Sequence, residues 1–249
     1  MSGHSKWSKV KHFKGAVDSK RSKLFTKLVR EIHVAAKLGG GDPDGNPRLR
    51  LAISTARANS MPKDTVERAI KKATGGGDDT QYEEVIYEGY GAGKYAVVVE
   101  TLTDNRNRTA SVIRTVFNKN GANLGSSNSV LYMFERKGAI EVPKAAVNEE
   151  QLTDYVLECG ADDLEDLGDT WLIKCSLEAF GPVRAFLEGK KLEIKAAALS
   201  RLPTTKIMLD NKAAAEKAIA FVEALDDEDD VQNVYTNFDI PDAVLAELE

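Results

Sequence analysis

The sequence predicts a multidomain α+β protein. A small N-terminal helical bundle with a basic arm precedes two α+β domains, the last one ferredoxin-like and inserted in the middle one. Three observations lead there. Charge divides the chain: residues 1–75 hold 17 Lys and Arg against 6 Asp and Glu, a net of +11, while the remainder holds 17 against 33, a net of −16. Apolar spacing is helical up to residue 75 and then becomes short β-type runs alternating with helices. Within the second part, residues 138–200 read strand, helix, strand, strand, helix, strand, which is the ferredoxin-like order. The expected division is a basic flexible arm over 1–21, a helical domain over 22–77, a middle α+β domain over 78–136 plus 204–241, an insert over 137–203 and a tail over 242–249.

The first twenty residues, MSGHSKWSKVKHFKGAVDSK, show no apolar period. They form an arm that cannot build its own core. Residues 22–38 are an amphipathic helix, with Leu24, Phe25, Leu28, Val29, Ile32, Ala35 and Ala36 recurring at three- and four-residue spacing. At ~100° per residue, Lys20, Lys23, Lys27, Arg30 and Lys37 fall opposite as a basic stripe, with Arg21 beside it. Gly39-Gly40-Gly41 ends the helix. A second helix is expected over 47–59, with Arg48, Arg50 and Arg57 basic. A third is expected over 62–74, starting with Pro62 at its first position or with Asp64 in a capping box with Glu67.

Strands at 85–87 and 95–102 follow, joined by a turn through Gly89-Tyr90-Gly91-Ala92-Gly93. A helix over 107–119 is capped by Asp104 or Asn105, and Val130–Phe134 reads as a strand. The ferredoxin-like run comprises strand 139–142, helix 148–158, strands 162–167 and 170–175, helix 177–188 and strand 192–199. A strand at 206–209, a helix at 212–225 and a strand at 231–235 then complement the elements of 82–134, so the chain is expected to leave the middle domain and return to it.

Several chemistries are excluded. Gly89-Tyr90-Gly91-Ala92-Gly93-Lys94 is not a phosphate loop, because Tyr95 follows where Ser or Thr is needed and a strand follows where a helix is needed. His4, His12 and His33 have no spacing that makes a metal site. Asp226-Asp227-Glu228-Asp229-Asp230 lacks the glycine and spacing of a calcium loop and reads as a solvated loop that repels nucleic acid. Cys159 and Cys175 read as reduced core thiols. No apolar run approaches the ~18–20 residues of a membrane span. No nucleophile-base arrangement can be nominated, so neither an enzyme nor a cofactor is expected, and no small-molecule substrate.

What remains points to nucleic acid. A segment this basic steers polyanions toward one end of the chain. In the arm, Lys6, Lys9, Lys11 and Lys14 could hold phosphates while Trp7 and His12 add contacts. Lys20, Arg21, Lys23, Lys27 and Arg30 continue the field along the first helix, and Arg48 and Arg50 along the second. Arg106 and Arg108, where a strand passes into a helix, could hold phosphate near the helix N-terminus or be surface arginines beside a cap.

The residues GHSKW at 3–7, KLFTKLVREIHVAAKLGGGDPDGNPRLRLAI at 23–53, MPKDTVERAIKK at 61–72, YEGYGAG at 87–93, LTDNRNRT at 102–109, GANLGSSNSVLYMFERKG at 121–138 and DDVQNVYTNFDIP at 229–241 resemble the YebC/PmpR family over nearly the whole chain. Mitochondrial relatives include the translational activator of cytochrome c oxidase subunit I. The resemblance implies three domains with one α+β domain inserted in another and a transcriptional regulator that binds DNA; the reduced cysteines point to a cytoplasmic protein. A transcriptional regulator is the usual description of bacterial members; other members look like translation factors that act on ribosomes stalled at difficult sequences such as proline runs, and this is the alternative. It supplies no catalytic residue. Two targets follow as expectations, duplex DNA and the ribosome or its RNA. The stripe itself carries one further expectation: alanine at Lys23, Lys27 and Arg30 should flatten the salt dependence of binding.

Overall fold

The computed structural model describes residues 17–75 and 80–248, with side chains from Arg21 onward. The candidate residues Lys6, Trp7, Lys9, Lys11, His12 and Lys14, and the side chain of Lys20, lie outside the described residues.

Helix α1 (Val17–Gly39) buries the apolar face its spacing predicts. Leu28, Ile32, Ala35 and Ala36 pack with Leu49, Ala52, Ile53 and Ala56 of α2 (Pro47–Ala58) and Val66 and Ala69 of α3 (Lys63–Thr74). The chain leaves α1 through Gly40, whose φ of +86° suits glycine. Asn46 then joins the first two helices. Its side-chain oxygen accepts from the Leu49 N–H at 3.1 Å as the α2 cap, while its amide donates to the carbonyls of Ala35 and Gly40 at 2.7 and 2.9 Å. Asn46→Ala removes the cap and both tethers from a buried position, so a loss of about 1–3 kcal/mol is expected in denaturant melts. An unchanged midpoint would mean that the bundle holds this corner by packing alone. Helix α3 starts at Lys63, after Pro62, with no side-chain cap, so neither expected start is the one used.

The first sheet opens with β1 (Glu83–Tyr90) and β2 (Ala96–Thr103), an antiparallel hairpin. At its turn the Gly91 N–H donates to the Tyr95 carbonyl at 2.9 Å. A Cβ on Gly91 would lie 2.0 Å from the Tyr95 ring, which is why a glycine stands there. Asn105 caps α4 (Arg106–Lys119) by accepting from the Arg108 N–H, and β3 (Asn123–Leu124) follows.

The insert comprises β4 (Phe134–Pro143), α5 (Glu149–Cys159), β5 (Asp163–Asp166), β6 (Thr170–Cys175), α6 (Phe180–Gly189) and β7 (Ala196–Pro203). Its sheet runs β5-β6-β4-β7, all antiparallel, which is the ferredoxin-like order. Leu152, Val156, Val183 and Leu187 of the two helices cover Ile140, Val142, Trp171 and Ile173. Both cysteines are free, and burial pushes the Cys175 thiol up to about 11.

After β8 (Ile207–Met208), α7 (Lys212–Asp226) leads to β9 (Val231–Thr236). β9 pairs with β2, so the first sheet runs β3-β1-β2-β9. The chain thus returns to the sheet it left. Its end adds β10 (Phe238–Asp239), parallel to β8, and α8 (Asp242–Leu248). Helices α4 and α7 cover one face of the sheet through Ile113, Phe117, Phe221 and Val222 against Val97, Val99 and Val234. Val130, Phe134 and Tyr235 line the other face with Ala96 and Val98.

Three expectations shift. Val130–Phe134 is not a strand: a 3-10 turn occupies Leu131–Met133 and β4 starts at Phe134. The cause is Glu88 of β1, whose buried carboxylate accepts the N–H groups of Asn128, Val130 and Leu131 and bends the chain. Helix α6 starts at Phe180 rather than 177, because the Ser176 hydroxyl first closes a turn onto the Ala179 N–H at 3.1 Å. β7 is displaced by four residues at both ends, running Ala196–Pro203 instead of 192–199, with Pro203 in register with Phe134.

Candidate nucleic-acid interface

The basic face of α1 lies against the end of α7 and the acidic run that follows it. Lys23 Nζ is 3.2 Å from Asp227 Oδ1, Lys27 Nζ is 3.2 Å from Asp226 Oδ1, and an Arg30 Nη is 2.9 Å from Asp230 Oδ1. The same cations donate to main-chain carbonyls: Lys23 to Asp227 at 3.1 Å, Lys27 to Asp226 at 2.6 Å, and Arg30 to Asp229. The carbonyls of Asp226 and Asp227 lie at the negative end of the α7 dipole, so charge and main chain attract Lys23 and Lys27 together. The acidic run is therefore not a solvated loop that repels from a distance. It is the surface on which the α1 stripe sits.

Asp230 gathers the junction. Only 8% exposed, it accepts from Arg30, from Arg108 at 2.8 Å and from the Thr109 hydroxyl at 2.6 Å. Burial alone would raise its carboxyl. The hydrogen bonds from Thr109 and Arg108, with the charges of Arg108 and Arg30, outweigh that and hold it below the ordinary 3.8. Arg108 also pairs with Asp104 at 2.7 Å, so in this structure its guanidinium, 48% exposed, is turned to the junction. Arg106 is exposed at the start of α4, its carbonyl accepting from the Tyr87 hydroxyl at 3.5 Å.

The other nominated arginines are largely engaged as well. Arg48 grips Glu31 at 2.7 and 3.0 Å and reaches Glu84 of β1 at 2.6 Å, a second tie between the helical bundle and the first sheet. Arg50 closes the preceding turn by donating to the carbonyls of Pro43 and Asp44 at 3.0 and 2.6 Å. Arg21 is exposed, its guanidinium 5.4 Å from the centre of the Phe25 ring. On the far side of the bundle, Arg184 of α6 donates to the Ser54 hydroxyl at 2.9 Å, so α2 is tied to the insert.

Further exposed cations lie elsewhere in the bundle. Arg57 at the end of α2, with Lys63, Arg68, Lys71 and Lys72 along α3, faces outward, opposite buried Val66 and Ala69. The only acids on that face of α3 are Asp64 and Glu67, and Glu67 pairs with Lys63 at 3.3 Å. This face was not nominated from sequence. Its signal was present in MPKDTVERAIKK, where three- and four-residue spacing separates the apolar residues from the cations.

Among the described residues no group of three His, Cys, Asp or Glu side chains could hold a metal ion, and no helix is long and apolar enough to cross a membrane.

Comparison with known proteins places this architecture. The pattern described as the TACO1/YebC protein N-terminal domain matches residues 5–76, and that described as the TACO1/YebC second and third domain matches residues 82–238. A "Probable transcriptional regulatory protein" of Syntrophobacter fumaroxidans is 49% identical over the whole of both chains. One of the same description from Treponema pallidum is 50% identical over 97% of this chain and 98% of its own. The crystal structure of a conserved hypothetical protein from Aquifex aeolicus superposes with a TM-score of 0.85 at 46% identity, over 96% of this chain and 98% of that one. The chain belongs to the TACO1/YebC family.

Proposed function

We propose that this protein is a non-enzymatic, nucleic-acid-binding regulator of gene expression that takes hold of phosphates through its N-terminal bundle. The observation that carries the reading is the outward face of α3. It keeps Lys63, Arg68 and Lys71 exposed, the contacts of Lys63 and Arg68 lying within α3 itself, while Lys23, Lys27 and Arg30 of α1 face the acidic run. The arm, with Lys6, Trp7, Lys9, Lys11, His12 and Lys14, precedes α1 in the same basic segment and adds to the attraction. The description of the bacterial relatives as probable transcriptional regulatory proteins supports duplex DNA as the target.

A second reading, the ribosome or its RNA, is favoured by one observation. Arg48 and Arg50, two of the three arginines on α2, are both held by groups of the protein itself, which leaves only Arg57 of that helix open to a base edge. A surface that contacts phosphate without reading bases positions a partner but does not specify a sequence. The test offers purified protein labelled genomic duplex and intact ribosomes together at physiological salt. Retention of particular duplex fragments supports the transcriptional reading. Retention of ribosomes supports the second. Binding to neither overturns the nucleic-acid function.

A further inference from the structure

The block GANLGSSNSVLYMF stands apart from the rest of the surface. The fifteen residues from Asn120 through Phe134 include no charged side chain, in a chain that is 29% charged. Yet this segment is neither a core strand nor a simple connection. Glu88, 4% exposed in the middle of β1, turns its carboxylate onto the main chain of the segment: Oε1 accepts the Asn128 N–H at 2.6 Å, and Oε2 accepts those of Val130 and Leu131 at 2.9 and 2.7 Å. The Gly125 N–H donates to the Glu88 carbonyl at 2.7 Å, and the Tyr90 hydroxyl donates to the Ser129 carbonyl at 3.3 Å. Below this frame, Val130 and Phe134 are buried against Ala96, Val98 and Tyr235. The loop is held from beneath at both ends.

Above the frame it presents a distinct set of side chains. Ser126, Ser127 and Asn128 are exposed, Asn128 with a φ of +64°, and Tyr132 is 71% exposed. Thr204, whose N–H and hydroxyl both donate to the Met133 carbonyl, extends the uncharged rim with exposed Thr205. Burying a carboxylate is costly unless its hydrogen bonds are met, so three main-chain N–H groups on Glu88 mark a loop whose shape matters. A fixed loop offers its side chains without paying to order them on binding.

We propose that this loop is a docking surface for unpaired nucleobases, with Tyr132 stacking on a base and Asn128, Ser126 and Ser127 hydrogen-bonding to base edges. The chemistry selects that partner. A loop with no charge of its own does not draw phosphate, whereas an exposed aromatic ring on the same loop as exposed amide and hydroxyl groups suits the face and edges of an unstacked base. The inference rests on the nucleic-acid function proposed above and divides the labour within it: the cations of the bundle hold phosphates, and the Glu88-pinned loop reads bases.

The test measures binding of full-length protein to three fluorescent probes of one mixed sequence: single-stranded RNA, single-stranded DNA and duplex DNA. The wild type is compared with Tyr132→Ala and Tyr132→Phe, after thermal melts show that both variants are folded. The expected result is a loss of about tenfold or more in single-strand affinity for Tyr132→Ala, from the stacking of one base. Duplex affinity and the salt dependence should be unchanged, and Tyr132→Phe should restore binding. A loss confined to RNA or shared by single-stranded DNA supports the proposal in either form and identifies the sugar preferred. Tyr132→Ala binding single strands like the wild type, or losing duplex affinity equally, overturns the inference and leaves the phosphate-binding function standing. A wild type that binds none of the three overturns both.

Discussion

Replacing Asp230 by alanine is expected to cost about 2–3 kcal/mol and to loosen the helical bundle from the first sheet. The change leaves Arg30 with only the Asp229 carbonyl, the Thr109 hydroxyl with Thr103 and the Asn105 carbonyl, and Arg108 with Asp104 as its remaining carboxylate. The figure lies below that for breaking a fully buried pair because water reaches Arg108, which is 48% exposed. Asp230→Asn separates charge from shape. The folded-state carboxyl titrates below its ordinary value, so its contribution is complete above pH 3.8 and is lost as the pH falls through the lower, folded-state value. The asparagine variant should therefore start less stable at neutral pH and lose less than the wild type on acidification. Equal acid sensitivity in denaturant melts at pH 7 and pH 3 would remove Asp230 from the junction's energetics. Limited proteolysis between α3 and β1 should report the same loosening as faster cleavage.

Glu88→Ala should be of similar size, about 3 kcal/mol, by a different mechanism. No ion pair is broken. Three main-chain N–H groups, those of Asn128, Val130 and Leu131, lose their acceptors at once, and Val130 is fully buried. Glutamine is a poor substitute: its amide keeps one accepting oxygen and turns an NH2 group toward N–H groups that also donate. Hydrogen exchange locates the effect, with protection expected to fall at these three amides and to persist in α4 and α7. Protection retained at the three amides would show that packing of Val130 and Phe134 fixes the loop without the carboxylate.

Much of the architecture was legible in the sequence because it is written in local periodicity. The apolar faces of α1 and α4, a cap at Asp104 or Asn105, the hairpin turn and the element order of the ferredoxin-like insert all follow from residues a few positions apart. The return of the chain to its first sheet was legible only as complementarity of leftover strands, and the pairing of β9 with β2 realises it. What escaped is long-range. Periodicity places Lys23, Lys27 and Arg30 on one face of α1, but it cannot say what that face meets. Its partner lies about 200 positions away, in an acidic run that looks solvated when read alone. The same blindness turned Val130–Phe134 into a strand. The apolar spacing fits one, and the Glu88 carboxylate that bends it sits some forty residues earlier. The exposed cations of α3 were within reach of local reading. They were overshadowed by a stripe on α1 that held more charge and turned out to be internally matched.

The most direct test of this account compares the salt dependence of nucleic-acid binding in two multiple variants. One carries alanine at Lys23, Lys27 and Arg30, the stripe expected from sequence to hold phosphates. The other carries alanine at Lys63, Arg68, Lys71 and Lys72. Each phosphate left without its cation lowers the slope of log K against log salt by roughly 0.7–0.9. The account predicts a flattened slope for the α3 variant, and for the α1 variant an unchanged slope with reduced stability. A flattened slope in the α1 variant, with the α3 variant behaving like the wild type, would contradict it and return the phosphate-binding role to the face of α1.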